Sequence, residues 1–344
     1  MLWTDIIDPA TLTGYARAAL ADYEARKGTL ARWLPNREVP DVIVRFVKGQ
    51  SGLIDIARFR AYDAEIEIGK RSGGERVTLE LPALGQNLPV SEYEQLRSRG
   101  GAVSDEQALA TIQNTTMVVV RAVADAIERM RGVVLSTGKA TIAQNNFQSD
   151  DDFGRPATHQ LTAASPWSGA SSVSRLTYLR TIVDQYVDTT GEQPGAILTS
   201  TRVMTAMAAG DEFQTQLVTG TRPATQQQVM DTVTGAGLPP IFVYDRRVSV
   251  NGVSTKVLPD EGLLLLPAPV DPDDWQGTDL GATFWGRTLT STDLAWGIED
   301  TEQPGIVAGV YKNTKPPLGL EVISDAIGLP VMANANRSLY ADVM

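Results

Sequence analysis

The chain has 344 residues, 42% of them hydrophobic, enough for one large or two modest cores and far from a disordered composition. It contains no cysteine, which excludes disulfides and thiolate metal sites and makes synthesis inside a cell the expectation. Residues 1–12 lack the basic-then-apolar order of a signal peptide, and the longest purely apolar run, 263–269, is far too short to span a bilayer, so a soluble protein is expected. The net charge of -11 is unevenly placed: residues 1–100 carry 14 Lys/Arg and 14 Asp/Glu, while 101–344 carry 16 and 27. A body with that acidic excess repels nucleic acid, whereas the balanced first hundred residues suit contact with other protein surfaces.

In chain order, Asp8-Pro9 predicts the start of a helix, Asp as cap and Pro at its first position, with Leu12, Tyr15, Ala19 and Tyr23 on its apolar face and Gly28 closing it. After Trp33-Leu34-Pro35 the pattern becomes extended over 42–47, turns at 49–52 and continues over 53–56. A two-stranded ribbon is then predicted. Residues 63–69 alternate apolar and acidic, 77–81 alternate again, and Ser72-Gly73-Gly74 supplies the turn between them. Neither arm is hydrophobic enough for a core, and Arg58, Arg60, Lys70, Arg71 and Arg76 alternate with Glu65 and Glu67 along it. Such a ribbon projects from the body and needs a partner surface, because an isolated hairpin is marginal in water.

Residues 104–138 predict one amphipathic helix, which at ~1.5 Å per residue would be ~50 Å long. A globule of this chain length has a radius of gyration of roughly 20 Å, so the helix would cross the whole subunit as a spine. Ser104 with Gln107 forms a capping box, and Leu109, Ile112, Thr116, Val119, Val123, Ile127, Met130 and Val134 form the apolar stripe. Arg121, Asp125, Glu128, Arg129 and Arg131 are expected off that stripe, and Gly138 stops the helix. Beyond it, 139–143 predicts a strand and 148–172 a long polar loop; helices follow at 173–190, 201–209 and 226–233, with a buried strand at 196–198. A strand over 241–250 is joined through Asn251-Gly252, a strong hairpin signal, to 253–258. Strands are also predicted at 263–266, 283–289 and 306–311, with extended structure over 318–333, and no internal repeat is seen.

Catalytic chemistry finds little to build on. His159 is the only histidine and lies in a polar loop without nearby partners, so it is read as structural. Ser136 and Lys139 match a Ser-x-x-Lys spacing at a helix end rather than a helix start. Gly138-Lys139 fails as a phosphate loop, because Gly132 is one residue too distant and Ala140 replaces the hydroxyl needed for magnesium. Asp150-Asp151-Asp152 and Asp271, Asp273 and Asp274 lack the spacing of a calcium loop and are expected to be solvated acidic turns. No catalytic, cofactor-binding or metal residue is therefore assigned.

The order of elements carries a resemblance: an arm, a charged ribbon, a long spine helix, a mixed α/β unit and a terminal return strand. That order resembles the major capsid proteins of tailed phages, specifically the capsid protein E family of lambda-like phages, with the α+β fold named for phage Hong Kong 97 (the HK97-like fold). The hairpin Val250-Asn251-Gly252-Val253 leading to Leu258-Pro259-Asp260, residues 128–141 at the spine's end, and residues 320–326 followed by Leu329-Pro330-Val331-Met332 are similar to segments of that family. Residues 2–34 are similar to the amino-terminal arm of related actinophage-type sequences.

The resemblance implies an N-arm over 1–38, a first part of the peripheral P-domain over 39–56 and an extended E-loop over 57–92. It further implies the rest of the P-domain with its spine over 93–191, an axial A-domain over 192–311 and a P-domain return strand over 312–344. It implies a structural protein, not an enzyme, that assembles with itself as hexamers and pentamers into an icosahedral head enclosing double-stranded DNA without sequence-specific binding. Arg58, Arg60, Glu65, Glu67, Lys70, Arg71 and Arg76 would contact adjacent subunits. A separate scaffolding protein, a portal and a decoration protein are the implied partners, with no membrane, the virion as location and the bacterial cytoplasm as place of assembly. Covalent E-loop cross-linking is not expected, since Lys70 is the only lysine of 57–92. An encapsulin-like compartment shell with the same fold is the alternative, and an α/β enzyme with an unrecognised carboxylate site the more distant one.

Overall fold

The computed structural model describes residues 2, 7–48, 75–90, 105–144, 147–168, 174–217, 220–313 and 319–344. Two sheets, one long helix and two groups of shorter helices build the body. In the first sheet the central member is the return strand Leu320–Met332. Its first half pairs antiparallel with Val307–Lys312 on one edge and with Ala83–Val90 on the other, and its second half with Gly281–Gly286, which in turn takes Asn36–Glu38 as a parallel neighbour. The second sheet has the order Ile241–Val243, Ala196–Thr199, Gly262–Leu266, Leu339–Asp342, Gln160–Thr162.

Period-2 alternation decides where the second sheet sits. Leu263 and Leu265 enter a core formed with the helices Arg175–Thr190, Thr201–Ala208 and Gln226–Gly235, whereas Leu264 and Leu266 enter a central core that also holds Val134 and Leu135. Both faces are thus covered, which is why this strand reads as an uninterrupted leucine run rather than an alternating one.

The spine is the helix Asp105–Thr137. Ile112, Val119, Val123 and Ile127 pack against Val310, Val322 and Ala326 of the first sheet and against Leu12 and Ala16 of the amino-terminal helix Pro9–Lys27. One end of the rod therefore lies on the first sheet, while its last turns enter the core beneath the second. Gly138, at φ +76°, ends it as expected.

Several expectations are corrected. Glu128 and Arg131, expected off the apolar stripe, have no exposure at all, because they face polar partners brought in from other segments. Asp8 makes no side-chain cap, although Pro9 does open the helix. The strand expected over 241–250 is two strands in different sheets, Ile241–Val243 and Arg247–Val250, separated by Tyr244, Asp245 and Arg246. Part of the loop expected over 148–172 is strand: Phe147–Asp152 pairs antiparallel with Lys139–Gln144. There Asp152 meets Lys139 at 2.9 Å and Asp150 accepts from Thr141 at 2.7 Å, so this acidic run is a strand and not a turn.

Strand pairing joins segments distant along the chain. Gly281–Gly286 and Val307–Lys312 lie in the return strand's sheet. Leu339–Asp342 pairs with Gly262–Leu266, where Leu339 and Ala341 reach the helix-covered core.

Candidate functional site: the spine and the ribbon stem

The strand Glu75–Glu80 pairs antiparallel with Ile43–Lys48. Of the ribbon residues expected to contact other subunits, Arg58, Arg60, Glu65, Glu67, Lys70 and Arg71 lie outside the described residues, as do the predicted strands 53–56 and 63–69 and the turn Ser72-Gly73-Gly74. Arg76 is described: it is exposed, opposite Val47. The stem has a clear base. Val44 and Leu79, directly opposite each other, are both buried in the central core, as is Leu81. Burial then falls along the ladder to exposed Glu75, which closes the described pairing through an ion pair of 2.9 Å to Lys48. The two strands thus leave the body together from an apolar foot.

At the spine, charges that a helical pattern assigns to solvent form a buried network. Glu128 accepts the Leu30 amide at 2.7 Å, the Thr29 hydroxyl at 3.1 Å and the Tyr244 hydroxyl, and it faces Arg131 at 3.0 Å. Arg131 donates further to Glu24 and Thr29 at 3.1 Å, to Thr283 at 2.9 Å and to Asn36 at 2.7 Å. Arg246 bonds Asp125 at 2.8 Å and the Gly28 carbonyl at 2.9 Å, and its guanidinium lies 5.0 Å from the centre of the Tyr23 ring.

Electrostatics follow from that packing. Burial and the neighbouring Glu128 carboxylate push the Tyr244 hydroxyl far up, so it stays a donor. Burial opposes the charge of Arg246, but the Glu128 and Asp125 carboxylates outweigh it and hold its pKa above the ordinary value. Burial, then Asp125, raises Tyr23. The network ties the amino-terminal helix, the chain after it and the Tyr244–Arg246 link to the spine.

The spine's end is fixed by two further contacts. Arg155 donates to the carbonyls of Leu135 and Ser136, the free acceptors of the last turn, and to Ser338 at 3.0 Å. Burial lowers its pKa to about 10, still charged at neutral pH. At Gly132 the chain of Val257 comes so close that a Cβ would stand 2.2 Å from its carbonyl oxygen. Val257 directly follows the hairpin Arg247–Val250 with Val253–Lys256, turned by Asn251 at φ +50° and Gly252 at φ +80°, so the base of that hairpin is held against the spine.

The residues weighed for catalysis are structural in their surroundings. Ser136 donates back to Gly132 at 2.8 Å while Lys139 pairs with Asp152, so the two do not act on each other. His159 is not without partners: it is fully buried, its Nδ1 lies 3.1 Å from the Ser338 carbonyl and its ring stacks on Tyr186. Burial lowers its pKa, so it is neutral at pH 7. Among the described residues no group of side chains is arranged to hold a metal ion, and no helix is long and apolar enough to cross a membrane.

Sequence reasoning missed Glu128, Arg131 and Arg246. The signal available was a Glu–Arg pair at i, i+3 near an otherwise apolar helix end, which the binary pattern reads as a solvated pair.

Comparison with known proteins follows the same lines. The profile of the phage major capsid protein E family matches residues 25–273. A search of curated proteins finds no match. Among solved structures, the chain is similar to a prophage protein of E. coli CFT073 assigned as a capsid protein, with a TM-score of 0.64 and 12% identity over 98% of this chain and 99% of that one. It is similar to a phage-related protein of Bordetella bronchiseptica RB50, with a TM-score of 0.57 and 14% identity over 97% of each chain. A capsid from a native GTA particle gives 0.51 and 8% identity over 91% of this chain and 89% of that one. At such identities these likenesses establish the fold, which is HK97-like. With its family profile matched over most of its length, the chain belongs to the phage major capsid protein E family, the structural shell proteins of tailed phage heads.

Proposed function

We propose that the chain assembles as pentamers and hexamers of a closed icosahedral shell, with the ribbon above its stem lying across an adjacent subunit. The observation that carries this reading is the stem itself: its foot is buried at Val44 and Leu79, while its upper residues Arg76 and Glu75 are exposed. Strand pairing and alternating charge give a ribbon many small contacts with a neighbour, and a closed shell multiplies them. Arg58, Arg60, Glu65, Glu67, Lys70, Arg71 and Arg76 are the proposed contacts. The amino-terminal helix serves as the arm, the ribbon above the stem as the E-loop, the spine with the return strand's sheet as the peripheral unit, and the second sheet with its helices as the axial unit.

Scaffolding, portal and decoration proteins complete the proposed set of partners, with assembly in the bacterial cytoplasm and no catalytic role for the chain. DNA is enclosed without sequence-specific binding, in keeping with the acidic excess of residues 101–344. The test is a chain in which residues 49–74 are replaced by Asn-Gly, closing the stem at the Lys48–Glu75 pair. Folded subunits that form no shells are expected; shells indistinguishable from wild type would overturn the ribbon's role.

A further inference from the structure

The segment between Gly281–Gly286 and Val307–Lys312 is built to hold two leucines in water. Leu289 is 90% exposed and Leu294 97% exposed, the two most exposed large apolar side chains among the described residues. Their backbone is well fixed. Thr288 caps the turn Leu289–Thr292, accepting from Ser291 at 3.0 Å, and Thr290 donates to Asp325 at 2.6 Å. Trp296 is buried against Tyr311 and sits so close over Gly309 that a Cβ there would meet its ring at 2.3 Å. Arg17 clamps the far end through the carbonyls of Glu302, Pro304 and Ile306. A rigid loop that presents leucines outward has the form of a preorganised anchor for a partner. Asp293, next to Leu294, is exposed, as are Glu299, Asp300 and Glu302 farther along the segment, while Arg287 precedes Leu289 by two residues.

A matching receptor lies elsewhere on the same chain. A groove of about 640 Å³ runs along the outer side of the spine between the hairpins at 139–152 and 247–256. Its lining mixes apolar side chains, Val118, Met130, Val133, Ile142 and Val250, with polar ones such as Gln86, Gln144 and Asn251, and Val118 is 50% exposed. Arg121 and Arg129 line it, while Asp125 in its wall is engaged by Arg246. A smaller groove beside the amino-terminal helix is lined by Arg17, Glu24, Glu38 and Asp273 and by Pro304, Gly305 and Ile306 of the same segment.

The geometry points to a subunit contact in which Leu289 and Leu294 of one copy enter the spine groove of a second copy, with Asp293 facing the exposed Arg129. Such a contact joins two different patches of the same chain. It is therefore heterologous, and it generates a ring when the rotation closes. The inference rests on the shell reading and adds a contact independent of the ribbon.

The absence of cysteine gives a direct test. In particles of the double variant Leu294→Cys/Val118→Cys, mild oxidation is expected to produce a ladder of covalent oligomers on a non-reducing gel, while each single variant stays monomeric. A covalent dimer from Leu294→Cys alone, an intrachain bond, or particles without a ladder would overturn the contact. Leu289→Asp/Leu294→Asp, both at exposed positions, should melt with wild type yet yield no particles, and normal particles from it would count against the contact. A wild-type chain that forms no particles removes the shell reading itself, whereas particles lacking the ladder remove only this contact.

Discussion

Glu128 and Arg131 stand one turn apart on the spine, 3.0 Å from each other and both without solvent exposure. Two charges taken out of water are stable only when their remaining donors and acceptors are satisfied. Here the partners come from Glu24, Thr29, Leu30, Asn36, Tyr244 and Thr283, so the pair joins four segments to the rod.

Removing one member should therefore be costly. Glu128→Ala leaves the buried Arg131 with Glu24 as its remaining close carboxylate and the Leu30 amide and Tyr244 hydroxyl without their acceptor, and a loss of about 3–5 kcal/mol is expected by urea unfolding. Glu128→Gln keeps an acceptor and should lose less. A loss no larger than that of an exposed ion pair, at most about 1 kcal/mol, would contradict the network's role.

Gly132 and Gly14 make a matched pair of helix glycines. Gly132→Ala drives a Cβ into the Val257 carbonyl and should destabilise by about 1–3 kcal/mol. Gly14→Ala, with open space around it, should stabilise by about 0.5–1 kcal/mol. Thermal melts that move in the same direction for both would contradict the close crossing of hairpin and spine.

Asp245 gives a pH dependence with a defined sign. Burial opposes its charge, but Lys256 at 2.7 Å and the Thr201 amide at 3.0 Å outweigh burial and hold its pKa below the usual carboxylate value. A depressed folded pKa contributes stability that is present above about pH 4 and is lost as pH falls through the folded value. The stability gap between wild type and Asp245→Asn should be largest near neutrality and shrink in acid. A gap that widens as pH falls from 5 to 3 would reverse that sign.

Val119 lies mid-spine and is fully buried. A proline there removes a helix hydrogen bond and clashes with the preceding turn, costing ~3 kcal/mol or more. Val119→Pro should abolish shell formation more severely than any single charge change in the ribbon, as counted by electron microscopy; equal effects would contradict the spine's role.

Much of this architecture is visible in the amino-acid sequence where the pattern is local. The spine's stripe repeats for many turns, Asn251-Gly252 demands its hairpin, and the return strand reads as extended from Leu320 onward. What is not visible is non-local. The pairing of Val44 with Leu79 joins strands far apart in the chain, and no local register signal announces it. Glu128 and Arg131 look solvated because their partners stand about a hundred residues away or more along the chain. The last strand, Leu339–Asp342, is short, and its pairing with Gly262–Leu266 on one side and Gln160–Thr162 on the other makes it a strand.

The central claim is that this chain builds a shell on a rigid spine. Electron microscopy of the purified chain, with sedimentation velocity on the same sample, tests it most directly. Rings and partial or closed shells of uniform curvature are predicted, whereas a 37.1 kDa monomer at every concentration and ionic strength would contradict the claim.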